Sequence, residues 1–393
     1  MGRPIYLDYA ASSPVHPEVA AAMAACLGPD GLHANPSSGH AEGRRAAAAI
    51  EQARASVAAL LGAGPESILF TSGATESDNL ALLGACRAGR ARGKHLVTSR
   101  VEHRAVTDAC QQLEREGFAV SWLKPGPDGR IAPAQVASAL RPDTLLVSVM
   151  HGNNETGVVN DVAAIGRLCS ERGVLLHVDA AQSAGRVRID AGDLNADLIA
   201  FTAHKLGGPK GIGALYLRPR PRPALQPLQF GGGQERGIRS GTLATHQIVG
   251  FGAACRIAAA DLETEAMRVR SLRERLWGRL QAAGSAWRNG EGEPSLPGIL
   301  NVGFAGIEGE SLLLALDGLV CASSGSACHS AVAEPSYVLR ALGLSDLGCQ
   351  ASLRLSLGRF TREEDVDEAA SAILAAVERL RRIAPPGALE RIR

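Results

Sequence analysis

No cysteine pair at CxxC spacing, no cysteine–histidine cluster and no long apolar run occurs in this sequence. Each absence removes a class of function. The eight cysteines, at 26, 86, 110, 169, 255, 321, 328 and 349, are scattered. Such spacing offers no zinc ligand set and no redox dithiol, so no resident metal is expected. Most of these thiols are expected as reduced, buried small hydrophobes, with one or two left for chemistry. The opening MGRPIYLDYAASSP has no apolar stretch of signal-peptide length. No uncharged apolar run approaches the ~18 residues of a membrane span. The expected location is therefore cytoplasmic, with no membrane partner. Neither sign of charge is in excess, since 41 Lys and Arg face 40 Asp and Glu. That balance gives no electrostatic footprint for nucleic acid. Lysine is scarce too, with four, at 94, 124, 205 and 210.

What is present is alternation. From about residue 40 to 217, apolar runs alternate with helical patterns. Helices are predicted over 42–61, 76–92, 104–116 and 162–172. Strands are predicted over 68–71, 95–99, 119–123, 145–150, 174–178, 198–201 and 213–217. Continuous apolar runs of strand length suit strands buried on both faces, and strand–helix alternation implies a mainly parallel sheet covered by helices. The predicted class is therefore α/β, with seven strands in a large unit. A Pro-rich stretch at 218–227 closes that unit. An amphipathic helix over 260–283 follows, then a smaller α+β unit with strands over 299–304 and 352–357 and helices over 310–316, 336–342 and 363–382. The expected division is 15–258 for the large domain, with 1–14 and 259–393 forming the small one.

The polar residues cluster just after strand ends, where open α/β sheets place ligands. Lys205 lies in FTAHKLGGPKG, after a strand and before a glycine-rich turn. A lysine that holds a carbonyl cofactor needs such rigid sheet-end placement, although an ordinary loop lysine also fits the position. LHVDAAQSAG puts Asp179 at another strand end, with Gln182 three residues on. A carboxylate there can keep a pyridine nitrogen protonated or simply cap a helix. ILFTSGATESDN reads as strand, turn and helix start, so the backbone at Ala74 and Thr75 can cradle an anion. Thr202 and His204, beside Lys205, add donors. His103, in SRVEHRAV, can stack on a ring or move protons. HGNNETG supplies Asn154. CASSGSACHSA surrounds Cys328 with small residues, which suits an exposed loop, whereas Cys321 at a strand end fits a buried thiol. LRLSLGRF offers Arg354 and Arg359, one of which can fork onto a substrate carboxylate.

Together these segments resemble the cysteine desulfurases of the IscS/NifS type, in the class-V aminotransferase group of fold-type I pyridoxal phosphate enzymes. The likeness runs nearly end to end, from IYLDYAASSP to SLGRFTREEDV. It rests on TSGATESDN, the Glu102–His103 pair, NNETG, HVDAAQS, AHKLGGPKG, GGGQERGIRSGT, SSGSAC and EPSYVLRALGL. The resemblance implies pyridoxal 5'-phosphate on Lys205, which also acts as acid and base. It implies that His103 stacks on the ring, that Asp179 pairs with the pyridine nitrogen and that Gln182 pairs with the phenolic oxygen. Ala74, Thr75, Thr202 and His204 would hold the phosphate. Thr242 matches a residue that reaches the phosphate of the partner subunit, which implies a homodimer. Arg354, Asn154 and Asn35 would fix the carboxylate of L-cysteine.

Cys328 would then take the sulfur as a persulfide, with L-alanine released. Its acceptors would be proteins such as an iron–sulfur scaffold or a sulfur carrier, and contact with an iron–sulfur cluster would fall at Cys328. Two departures stand out. His329 follows Cys328 where many relatives carry Thr or another small polar residue, and it reads equally as a thiolate-favouring neighbour or a solvated loop residue. The closing IAPPGALERIR does not resemble the tail that housekeeping relatives use to dock their scaffold. Selenocysteine lyase or another class-V activity would keep Lys205 and Asp179, but an aminotransferase has no need of SSGSAC.

Overall fold

The computed structural model describes residues 3–290, 292–324 and 335–383. Twelve strands occur among them: β1 (Ile5–Tyr6), β2 (Ile68–Thr71), β3 (His95–Ser99), β4 (Ala119–Leu123), β5 (Thr144–Ser148), β6 (Leu175–Asp179), β7 (Leu198–Thr202), β8 (Gly213–Leu217), β9 (Ala286–Asn289), β10 (Ile299–Phe304), β11 (Val320–Cys321) and β12 (Ser352–Ser356).

Strands β2 to β8 form one seven-stranded sheet in the order β2-β8-β7-β6-β5-β3-β4. β3, β4, β5, β6 and β7 pair in parallel, and β8 runs antiparallel to both β2 and β7. The mainly parallel sheet expected from the alternating pattern is thus present. Side chains alternate across a strand, so each apolar run feeds two cores. Phe70, Val97, Val178 and Phe201 join the core on one face. Leu69, Leu96, Leu198 and Ala200 join the core on the other. Burying a side chain such as Phe201 contributes about 1.5–3 kcal/mol, which favours apolar residues at the centres of β7 and β8.

Helices Ala41–Ala59 and Thr245–Ala260 cover the first face through Ile50, Val57, Ile248 and Phe251. Their close approach needs glycine at 252, where an added Cβ would lie 2.8 Å from the Ala53 Cα. Helices Ala74–Gly89 and Arg104–Arg115 cover the second face through Leu80, Leu83, Val106 and Leu113. A separate antiparallel sheet, β12-β10-β9, has its own core with helices Leu262–Leu280 and Glu363–Ile383. No helix among the described residues is long and apolar enough to cross a membrane.

The helix predicted over 260–283 is Leu262–Leu280, and a helix not predicted, Thr245–Ala260, precedes it. THQIVGFGAACRIAAA is buried on most of its surface, so it lacks the polar stripe that marks a helix in sequence. Strand β9, reading AWRN, was missed because four residues with an Arg and an Asn show no apolar run. The strand predicted over 145–150 ends earlier, at Ser148. Its last residues, Val149 and Met150, lead the chain out over the sheet edge toward the site.

Candidate active site

The carboxyl ends of β2, β6 and β7 open onto a cavity of about 520 Å³. Lys205 enters it from the short turn Ala203–Lys205 that ends β7. Desolvation among the surrounding protein atoms pushes the Lys205 ammonium down to about 8, against the pull of Asp179 and Asp78 and with help from Arg186 and Arg354. Asp179 ends β6, is 5% exposed and accepts from the Ala181 N–H at 2.8 Å. Gln182 gives one N–H of its Nε2 to the Ala10 carbonyl at 2.8 Å and has a second to offer.

His103 caps the N-terminus of helix Arg104–Arg115, and its Nδ1 accepts from the Ala105 N–H at 3.2 Å. That bond assigns the proton of the neutral ring to Nε2. Desolvation lowers the His103 pKa, with Lys205 acting in the same sense and Asp179 opposing. Below it, helix Ala74–Gly89 begins on the cavity wall. The N–H groups of Ala74 and Thr75 have no acceptor within the helix, as at any helix start, and the helix dipole favours an anion there. The turn before it packs directly on β8, since a Cβ at Gly213 would lie 2.6 Å from the Gly73 Cα.

Arg354 reaches the same cavity from β12 in the second sheet. Its guanidinium holds Asp8 at 2.9 Å and the Asn154 carbonyl at 3.1 Å. Arg359, the other candidate, pairs instead with Asp261 at 2.8 Å and lies outside this cavity. The cavity therefore gathers Ala74, Thr75, His103, Asn154, Asp179, Gln182, Thr202, His204, Lys205 and Arg354. Asn35 is not among its lining residues: it is exposed, and its side chain accepts from the Ser37 N–H at 2.9 Å. Thr242 is also exposed and does not line the cavity of its own chain. Cys328 and His329 lie outside the described residues. Cys321 is half-buried, while Cys349 is buried, with its thiol pushed up to about 11 by desolvation. No group of three described His, Cys, Asp or Glu residues is placed to hold a metal ion.

Two anion donors differ from expectation. The Thr202 hydroxyl donates to the Ile212 carbonyl at 3.2 Å, so it meets an anion only by leaving that bond. His204 stands 3.3 Å from the Ser12 hydroxyl, and burial pushes its imidazole down to about 4. It is neutral at pH 7 until an anion arrives.

Sequence reasoning passed over a buried layer beneath the site. Asp78 is fully buried on the cavity wall, 3.3 Å from His177, whose Nδ1 meets the Ser148 hydroxyl at 2.9 Å. Burial, with Asp179 and Glu102 nearby, holds the Asp78 carboxyl well above the usual range. Burial also pushes His177 down to about 3, so its imidazole is neutral at pH 7. Part of the signal was legible, since His177 and Asp179 are two apart on one strand and so share a face, but nothing in the sequence joined Asp78 to them.

The class-V aminotransferase family matches residues 5–369. The cysteine desulfurase IscS of Pseudomonas aeruginosa (strain UCBPP-PA14) is 54% identical over 386 residues, covering 98% of this chain and 95% of that protein. Among solved structures, a NifS-like protein superposes with a TM-score of 0.89 at 33% identity, covering 96% of this chain and all of that one (100%). A structure described as SspA in complex with cysteine gives 0.79 at 37% identity, covering 91% and 99%. The seven-stranded sheet, the lysine at its edge and these likenesses agree: the chain belongs to the class-V aminotransferase family and, within it, to the cysteine desulfurases.

Proposed function

We propose that this chain uses pyridoxal 5'-phosphate to remove sulfur from L-cysteine, releases L-alanine and carries the sulfur on Cys328 as a persulfide for acceptor proteins. The observation that carries the reading is the convergence of Lys205, Asp179, His103 and Arg354 on one cavity. The residues fit the cofactor. Gln182 Oε1, Asn154 Oδ1 and Arg354 Nε are buried there without a hydrogen-bond partner, which is costly unless a ligand supplies one. The helix start at Ala74 and Thr75 would hold the phosphate, with His204 beside it. When bound, pyridoxal phosphate supplies an electron sink for charge developing at the substrate Cα.

The chain does the rest. Lys205, whose ammonium is brought down to about 8 by its surroundings, moves the Cα proton. Asp179 keeps a positive ring nitrogen paired. His103 Nε2 is the group placed to exchange a proton with the substrate thiol. Arg354, oriented by Asp8, grips the carboxylate. Cys328 thiolate then attacks the substrate sulfur. An S–S bond forms as the Cβ–S bond breaks, and Cβ keeps that electron pair and takes a proton. L-cysteine and the Cys328 thiol thus become L-alanine and the persulfide, with no added oxidant. In this reading residues 15–258 form the cofactor domain and 1–14 with 259–393 the small one. The enzyme works in the cytoplasm, feeding an iron–sulfur scaffold or a sulfur carrier.

Only a neutral amine captures a carbonyl. In the cofactor-free protein, loading at Lys205 should therefore speed up as pH rises through about 8 and level off above it, well before the ordinary lysine value of 10.5. Borohydride should fix the cofactor to the Lys205 peptide. A rate still climbing at pH 10, or label on Lys94, Lys124 or Lys210, would refute the assignment.

Charge-assisted bonds contribute about 1.5–3 kcal/mol. Arg354→Ala should accordingly raise KM for L-cysteine ~10- to 100-fold, with kcat changed less. An unchanged KM would remove Arg354 from the substrate site. Thr242, exposed and away from its own cavity, fits a role across a subunit boundary. Sedimentation should give a homodimer at micromolar concentration, and a fully loaded monomer would contradict this.

A further inference from the structure

Cys328 is joined on its downstream side to Ser336 and Tyr337, which are held with unusual firmness for residues that only start a five-residue helix. That helix runs Tyr337–Ala341, and Ser336 caps it by accepting from the Leu339 N–H at 3.1 Å. The cap alone would leave the Ser336 hydroxyl proton free. It goes instead to Glu155 Oε2 at 2.5 Å, with both residues 3% exposed. At that burial the Glu155 carboxyl faces the contact and not water, and desolvation raises it to about 7. The Tyr337 phenol donates to the Glu102 carbonyl at 2.7 Å, and the Arg104 guanidinium stacks 4.7 Å above its ring.

The receiving residues decide the meaning. Glu102 and Arg104 flank His103, and Glu155 follows Asn154. On the upstream side, Ser323 exchanges two backbone hydrogen bonds with Arg354, at 2.7 and 3.1 Å. Both ends of the segment that holds Cys328 are therefore fastened to the neighbours of proposed site residues, and not to unrelated surface.

We propose that Ser336 and Tyr337 are positioning residues for the sulfur-transfer step, anchoring the chain that follows Cys328 to the Glu102 carbonyl and Arg104 guanidinium on either side of His103 and to the Glu155 carboxyl just after Asn154. This rests on the reading that Cys328 accepts the sulfur. The two residues touch neither cofactor nor substrate. Their effect is on how often the Cys328 sulfur meets the substrate sulfur, a proximity term. Steps before that encounter belong to Lys205 and the ring and do not depend on the anchor.

The test uses the holoenzyme of Tyr337→Phe and Ser336→Ala, with Ser336→Thr as the conservative control. Tyr337→Phe keeps the ring under Arg104 and removes only the phenol bond. Two rates are followed after rapid mixing with L-cysteine: the cofactor absorbance change, and persulfide on Cys328 by mass spectrometry. The absorbance change should stay within about twofold of wild type, with Tm lowered by no more than about a few degrees by loss of the Ser336 cap. Persulfide formation should slow ~5- to 10-fold in Tyr337→Phe and Ser336→Ala, the loss expected for one hydrogen bond, and return in Ser336→Thr. Both rates unchanged, or both falling together with loss of cofactor, would overturn the anchor. A wild-type persulfide on a different cysteine would instead overturn the reading beneath it.

Discussion

Cys328→Ala is expected to fold, take up the cofactor and bind L-cysteine, yet lose alanine release by at least ~10³-fold, the scale of removing a catalytic nucleophile. Carbon chemistry and sulfur chemistry fall to different residues in this site. Lys205, Asp179 and the anion cradle converge on one cavity, and none of them needs a thiol to bind substrate or move the Cα proton. The variant should therefore stay yellow, and L-cysteine should shift its spectrum and hold it there. With no thiolate to attack the substrate sulfur, the Cβ–S bond stays intact. A small thiol such as dithiothreitol should restore only slight turnover, because it lacks the proximity that a tethered thiol has. Alanine release at the wild-type rate would remove Cys328 as acceptor. The reading would then have to be rebuilt on Cys321 or Cys349, the latter buried and with its thiol pushed up to about 11.

Lys205→Ala should fail earlier. Loss of a positioned acid–base group costs ~10²–10⁴ in rate, and here the covalent hold on the cofactor goes with it. Neighbouring lysines offer no substitute: Lys210 lines the same cavity but is exposed, whereas Lys205 lies among the residues that converge on its interior. The variant should give no spectral change on the path to alanine, even where cofactor remains bound without a covalent link. A Lys205→Ala enzyme that still exchanges the Cα proton of L-cysteine with solvent at a rate near wild type would show that another base does this work.

The two variants also mark what sequence alone could and could not supply. Strands β7 and β8 were legible because both faces are buried and their centres are apolar. Lys205, Asp179, His103 and Arg354 each had an ordinary structural alternative by position, and it was the run of motifs resembling the cysteine desulfurases that assigned their roles. Helix Thr245–Ala260 was not legible, since burial on most sides erases amphipathic period. Asp78 was passed over because a lone acid in a helix reads as solvated, and only the fold shows it fully buried beside His177. Residue pattern left Arg354 and Arg359 open and the resemblance chose Arg354; in the fold Arg354 is fastened to Asp8 and Asn154 on the cavity, and Arg359 to Asp261 away from it. Thr202 shows the opposite limit, for its placement was right while its hydroxyl proton is engaged by Ile212.

The central claim is that sulfur leaves L-cysteine for Cys328 while carbon leaves as L-alanine. One single-turnover experiment tests it most directly. Holoenzyme is mixed with one equivalent of L-cysteine per site and quenched over time, with alanine assayed and every cysteine mapped for persulfide by mass spectrometry. The account predicts alanine and persulfide rising together in equal amounts, with the extra sulfur on the Cys328 peptide. Alanine formed while Cys328 remains an unmodified thiol would contradict it.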